Sequence, residues 1–256
     1  MKEVRMVMRL AKNDFKAKYS ASAFGVLWAF VQPLATVLVF WYVFQAGFKT
    51  PPVNDMPYIL WFIVGYVPWL YFSDILGCGV NVLSDYAFLV KKVKFRVEYL
   101  PLVRVVSALF IHVFFLLFLF FMFWCYQFDL SVYCLQIFYY SFALTMFGWG
   151  LIMLVCPLSC FFRDIVQVVP IILQVGFWAT PVFWNVDTVT DLSVRRILSV
   201  NPLYYVVDGC RRSFLYQDCF WNHPLQMVYF WTVTAVVCCT GMFVFYRLRP
   251  HFADEL

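Results

Sequence analysis

Long apolar runs dominate the chain, and short polar connections separate them. A membrane crossing needs about 20 apolar residues. Six runs reach that length: Val26–Ala46, Tyr58–Val80, Leu102–Tyr126, Leu135–Pro157, Ile165–Trp184 and Leu225–Tyr246. Hydrocarbon offers backbone groups no partner, so each run is predicted as a helix that pairs its own N–H and C=O groups. The strands of a membrane barrel would alternate apolar and polar residues, and these runs do not. The first residues follow another pattern. Val4, Val7, Met8, Ala11 and Phe15 share one helical face, and Arg5, Arg9, Lys12 and Lys16 share another. Such a segment reads as an amphipathic interface helix over residues 1–22. It reads equally as a topological anchor, and the two readings are compatible. The connection from Asn185 to Pro224 is too long for a turn and holds two further apolar stretches, Leu192–Val200 and Tyr204–Leu215. These are predicted as short re-entrant helices in the outer leaflet, two extra crossings being the alternative.

Composition agrees with this pattern. Of 256 residues, 64% are hydrophobic and only 13% charged, against about 25% charged in an ordinary globular protein. Mean hydropathy is +0.80. So few charges cannot cover a water-soluble enzyme, and so apolar a chain is not disordered. The fold class is therefore an all-α polytopic membrane protein, with a six-span domain over residues 23–256. Fourteen of the nineteen Lys and Arg residues fall on the side that carries both termini, and five on the other. The positive-inside rule makes both termini cytoplasmic. No secretory signal is visible, and the N-terminus is expected to be retained.

Chemistry is conspicuous by its absence. No Cys or His pair has metal-ligand spacing, and no cluster of carboxylates suggests acid–base catalysis. None of the ten glycines precedes a lysine, which excludes a Walker-type phosphate loop. Asp74 is placed in the outer half of the second span. His112 is deep in the third and reads as a packed, hydrogen-bonded residue rather than a proton shuttle. The nine cysteines read as small buried hydrophobes; a disulfide between Cys210 and Cys219 stays open. No internal repeat is evident, which argues against an inverted-repeat carrier.

Several motifs have a recognisable order. They are Lys12-Asn-Asp-Phe-Lys-Ala-Lys-Tyr19, then Phe24-Gly-Val-Leu-Trp-Ala-Phe-Val-Gln-Pro33, Val64-Gly-Tyr-Val-Pro-Trp69 and Val90-Lys-Lys-Val-Lys-Phe95 with Pro101. Phe161-Phe-Arg-Asp164 follows, then Thr180-Pro181, Asn201-Pro-Leu203 with Arg211, and the ending His251-Phe-Ala-Asp-Glu-Leu256. Nearly end to end, the chain resembles the membrane subunits of ABC exporters of lipid-linked polysaccharide, which move O-antigen, capsule or teichoic acid. It departs from them in its high Phe and Cys content and at Ser20 and Ala21.

The resemblance implies a bacterial inner-membrane permease that is not an enzyme. It implies a homodimer of this chain with two copies of a separate ABC ATPase, a lipid-linked polysaccharide as cargo, contact with membrane lipid, and no nucleic acid. No cofactor is expected on this chain, ATP and Mg being held by the partner, and no metal site. The loop over residues 84–97, with Asp85, Phe88, Lys91 and Lys92, is implied to dock the ATPase; from composition alone it could equally meet anionic headgroups. Arg163 and Asp164 are assigned to a cytoplasmic gate, or are snorkelling residues at a span end. The aromatics Phe40, Trp41, Phe44, Phe177, Trp178, Phe183 and Trp184 fall in the outer halves of the first and fifth spans. They fit an interface belt or a sugar pathway, since ring faces hold pyranose C–H faces with little polar commitment. Asp208 with Arg211 or Arg212 in the re-entrant segment reads as a local ion pair, or as a sugar or phosphate contact. The alternatives are a secondary carrier or channel, a polymer-modifying membrane enzyme, and an ABC exporter of a drug or another lipid.

Overall fold

The computed structural model describes residues 2–20, 24–53, 56–91 and 95–256. In chain order its helices are α1 (Lys2–Tyr19), α2 (Gly25–Gly47), α3 (Tyr58–Gly79), α4 (Val82–Asp85), α5 (Ala87–Val90) and α6 (Tyr99–Cys125). Then come α7 (Gln136–Phe161), α8 (Asp164–Ala179), α9 (Leu192–Val200), α10 (Pro202–Arg211), α11 (Pro224–Leu248) and α12 (Phe252–Glu255). No strand occurs among the described residues. Five helical segments there are long and apolar enough to cross a membrane, the ones built on α2, α3, α6, α7 and α11.

The expected fifth span, Ile165–Trp184, is shorter than the sequence suggested. α8 has 16 residues, about 24 Å at 1.5 Å per residue, against a hydrocarbon core of about 30 Å. Pro181 ends it. The residue before a proline avoids the helical region, and Thr180 is extended at φ −88° and ψ 128°. α9 covers the predicted Leu192–Val200, and α10 with a wider turn through Tyr216 covers the second short stretch. The expected coupling helix is two single turns, α4 and α5, broken at Tyr86. Residues 1, 21–22, Lys92 and Lys94, which the sequence reading included, lie outside the described residues.

α3 is the axis of the bundle. It is apolar on every side and buried along most of its length, as expected for a helix enclosed by others. Its contact with α7 is reciprocal: Ile75 seats on Gly148, and Ile152 of α7 seats on Gly79. α7 and α11 approach even more closely. A Cβ on Gly241 would fall 2.5 Å from the carbonyl oxygen of Gly150, and one on Gly150 would fall 3.1 Å from the backbone N of Cys238. Small residues let membrane helices meet backbone to backbone, where packing replaces a hydrophobic driving force. Mid-bundle polar groups are linked: His112 Nε2 lies 2.8 Å from Ser141 Oγ, Tyr71 lies 2.9 Å from Thr145, and the Tyr71 and His112 rings stack at 4.1 Å. By contrast α2, α8 and α11 leave most of their surface outward.

Replacing Gly241 by Leu would force backbone apart, and overpacking of this kind costs about 1–3 kcal/mol. The purified protein in nanodiscs is expected to melt several degrees lower. Val236→Leu, on the outward face of the same helix, is expected to leave the melting temperature unchanged.

Candidate functional site

Two assemblies stand out, one at each end of the bundle. The end that carries both termini, called basal here, is organised by α1. Val7 and Ala11 are buried against Val103 of α6, Ala11 with 0% exposure. Val4 and Met8, assigned to the same apolar face from sequence, are exposed. The buried stripe turns instead through Leu10 to Asp14, because a charged partner waits there.

That partner is Arg104, in the second turn of α6 and only 8% exposed. Its Nη1 lies 2.8 Å from Asp14 Oδ1, and its Nη2 pairs with Asp85 of α4. Tyr86 donates its hydroxyl to Asp14 at 2.7 Å and lays its ring beside the guanidinium. Burial, with Asp14 nearby, raises the Asp85 carboxyl above the usual carboxylate range although Arg104 opposes this. One guanidinium thus joins α1, α4 and α6. Lys18 of α1 pairs with Asp74 of α3. Asp74 is therefore at the basal end, not in the outer half of its span: the first span runs away from the termini, so the second returns toward them. Glu3 accepts from Arg96 at 3.3 Å, and Glu98 pairs with Arg249.

The loop framed by these pairs presents Phe88, 61% exposed, and the exposed Lys91. Asp85, grouped with them from sequence, pairs with Arg104 while half of its side chain stays exposed. Arg163 and Asp164 are both exposed at the start of α8, and among the described residues neither is in an ion pair. An acidic residue in a first helical turn suits the helix dipole.

The opposite, distal end is aromatic. Phe40 stacks on Phe62 of α3 at 4.4 Å and lies 6.2 Å from Phe177. Phe44 stacks on Tyr58 at 5.2 Å, and Phe177 stacks on Phe183 at 5.5 Å. Four of the seven sequence-assigned aromatics therefore form one layer. Trp41 faces outward, and the exposed Trp178 meets the layer edge-on at Phe183. Trp184 donates to the Trp178 carbonyl at 3.0 Å. Sequence reading missed the α3 contributors. Tyr58, Phe62 and Tyr66 recur every four residues, and that spacing was the available signal.

Behind this layer Arg211 is 5% exposed. Its Nη1 donates to the Pro181 carbonyl at 2.5 Å and its Nη2 to that of Val182. Trp61 covers it at 3.5 Å. Gly65 makes the room, since a Cβ there would fall 2.5 Å from Nη2. Asp208 pairs with Arg212 at 2.6 Å. Cys210 and Cys219 are both free thiols, Cys210 in the core. Beside Arg211 opens a cavity of about 470 Å³, with Asp208, Arg212, Asp218 and His223 in its wall.

Replacing Arg104 by Met leaves Asp14 facing Asp85 with no cation, and breaking a buried pair in this way costs about 3–5 kcal/mol. A large fall in melting temperature is expected. Adding Asp14→Asn and Asp85→Asn to the same chain is expected to recover a good part of it, which a nanodisc thermal scan of the four combinations measures.

The description of the ABC-2 type transporter family matches residues 6–215 of the chain. A protein from Myxococcus xanthus named O-antigen export system permease protein RfbA is 27% identical, covering 98% of this chain and 95% of its own length. Two Klebsiella pneumoniae proteins of that name are 23% and 22% identical over the same shares. With more than three quarters of its length matched, and with helices long enough to cross a membrane several times, the chain belongs to the ABC-2 type transporter family as a membrane-embedded transport subunit and not an enzyme.

Proposed function

We propose that the chain is the permease of an ABC exporter that carries a lipid-linked polysaccharide of the O-antigen, capsule or teichoic acid type outward across a bacterial inner membrane. The observation that carries this reading is the near full-length similarity to three permeases named for O-antigen export. Geometry adds support at each end. α5 offers an apolar knob, Phe88, beside a cation, Lys91, on a loop fastened to α1 and α6. That is a rigid docking surface of the kind a separate ABC ATPase needs. The ring layer of Phe40, Phe44, Phe177 and Phe183 gives a long glycan an apolar wall with few directional bonds to hold it back.

On this reading six segments cross, α8 completing its passage through the turn at Thr180–Trp184, and both termini are cytoplasmic. α9 and α10 dip into the outer leaflet. Two copies of the chain enclose the path, and two ATPase copies bind ATP and Mg beneath it. Binding and hydrolysis bias the permease between two arrangements, because the ATPase holds one of them more tightly. Arg163 and Asp164, exposed at the cytoplasmic start of α8, are placed where the glycan enters.

Phe88→Asp combined with Lys91→Glu puts charge of the wrong sign on the docking surface and leaves the Arg104 cluster intact. The double variant is expected to reach the membrane at the wild-type level. It is expected to lose the ATPase on co-purification and to leave the glycan inside the cell. An ATPase recovered in full, with surface glycan unchanged, would sink the docking assignment. Glycan export that persists with no ATPase partner at all would sink the exporter reading itself.

A further inference from the structure

The distal cavity is a polar chamber whose charges cancel. Its volume, about 470 Å³, falls within the roughly 300–1,000 Å³ common for small-molecule sites. In its wall two guanidinium groups, Arg211 and Arg212, meet two carboxylates, Asp208 and Asp218, and His223 counts as neutral at pH 7. Asp208 lies 2.6 Å from Arg212, and its charge also favours the charged form of Arg211. Asp218 lies 2.6 Å from His223 Nε2 and accepts from Asn222 at 2.6 Å and from the Cys219 N–H at 2.9 Å. An ion of either sign would give up hydration here and meet no net opposite charge, which is costly. The occupant that suits such a wall is neutral.

The wall also suits a molecule rich in hydroxyls. An ionised carboxylate only accepts and a guanidinium only donates, so the Asp208–Arg212 pair sets an acceptor directly beside donors. Both side chains are about a quarter exposed, 24% and 23%, and within reach of a ligand. A hydroxyl donates one hydrogen bond and accepts others. Two hydroxyls on neighbouring carbons therefore match the pair, one giving to the carboxylate and one taking from the guanidinium. Tyr204 and the exposed Tyr216 bring rings to the same chamber, and a ring face is an apolar platform for C–H groups. A neutral molecule with neighbouring hydroxyls and an apolar face is a pyranose. The turn that supplies Pro181 and Asn185 to this wall also carries Phe183, which stacks on Phe177 in the aromatic layer, so chamber and layer adjoin.

We propose that the distal cavity binds a neutral hexose unit, with the Asp208–Arg212 pair on two neighbouring hydroxyls and Tyr216 against the ring. The proposal rests on the glycan-export reading for the source of its ligand, a neutral unit of the glycan leaving the membrane path. The Phe layer makes no directional bond and accepts any sugar face. The chamber reads hydroxyls and disfavours acids, so it adds a selection at the exit that the layer lacks.

The test uses the full chain with its ATPase in nanodiscs and saturation-transfer NMR. The probes are the methyl glycosides of glucose, galactose and mannose, with glucuronate and glucose 1-phosphate as the acids. At least one neutral glycoside is expected to bind, and both acids to bind roughly tenfold or more weakly, a factor worth about 1.4 kcal/mol. Added salt is expected to leave the neutral binding unchanged, because no net charge is involved. Tyr216→Ala is expected to weaken it roughly fivefold and Tyr216→Phe to preserve it. Asp208→Asn is expected to weaken the neutral probe and to turn the preference toward glucuronate, since one guanidinium is then left over. A thermal scan of each variant separates loss of the site from loss of the fold. Acids bound as tightly as the neutral probes, no binding of any probe, or neutral binding unchanged in both Tyr216→Ala and Asp208→Asn would each overturn the proposal. Surface glycan in cells complemented with the wild-type chain keeps the two readings apart. Export by a chain whose cavity shows no preference for neutral sugar removes only this site. Neutral binding in a chain on which no glycan export depends removes the export reading and leaves the site standing.

Discussion

A guanidinium taken out of water must be met by acceptors already in place, and Arg104 determines how the basal end is built. It is buried where α1, α4 and α6 converge, with Asp14 on one arm and Asp85 on the other. Neither carboxylate could be packed near the other without it. α1 therefore cannot lift away from α6 without exposing a charge cluster, and the α4–α5 loop cannot drift from α1. Lys18 and Asp74 extend the tie to α3, and Glu98 and Arg249 extend it to the segment after α11. The segment that carries Phe88 is thus tied to several helices at once.

The distal end solves the same problem without carboxylates. Pro181 stops α8 early and leaves backbone carbonyls with no helical donor, which is costly in a membrane. Arg211 supplies the donors, and the negative end of the α8 dipole favours a cation there. Gly65 and Trp61 give it a slot and a lid. The two arginines differ in consequence. Arg104 is neutralised and serves as a joint. Arg211 is held by two backbone carbonyls and a ring face and fastens the turn after α8 to α10.

The sequence made legible what depends on local pattern. The long apolar helices, the amphipathic α1, and the short α9 lie where hydropathy put them. What it hid depends on distance along the chain. Asp14 and Arg104 are 90 positions apart, and nothing local marks them as partners, so the buried stripe of α1 was drawn through Val4 and Met8. Asp208 was read against Arg211 or Arg212 and pairs with Arg212, but nothing local showed that the acceptors of Arg211 are in the turn after α8. The end of α8 was a different kind of error. Thr180-Pro181 was visible as a helix stop, but the apolar run beyond it carried the expected span through to Trp184. The distal aromatics of the first and fifth spans were picked out by their place in the outer halves of those spans, whereas the four-residue spacing of Tyr58, Phe62 and Tyr66 in α3 lies inside an almost unbroken apolar run that masks it.

Exposure alone says little about which helices move, because lipid is as apolar as leucine and an outward face in a membrane needs no cover. The nature of the contacts says more. α3, α6, α7, α10 and α11 are joined by interlocking glycines, by His112 and Ser141, and by Tyr139, which accepts from Trp231 and lies 3.1 Å from Tyr205. These have one good geometry. α2 and α8 meet that scaffold largely through rings, Phe40 on Phe62 and Phe177 beside Trp69, with directional bonds near their distal ends, from Ile59 N–H to Gln45 and from Tyr58 to the Phe183 carbonyl. A ring pair contributes about 0.5–1.5 kcal/mol beyond its area and tolerates sliding, whereas an interlocked backbone does not. The wall that meets this scaffold mainly through rings is therefore α2 with α8, and it is the wall that carries Phe40, Phe44 and Phe177.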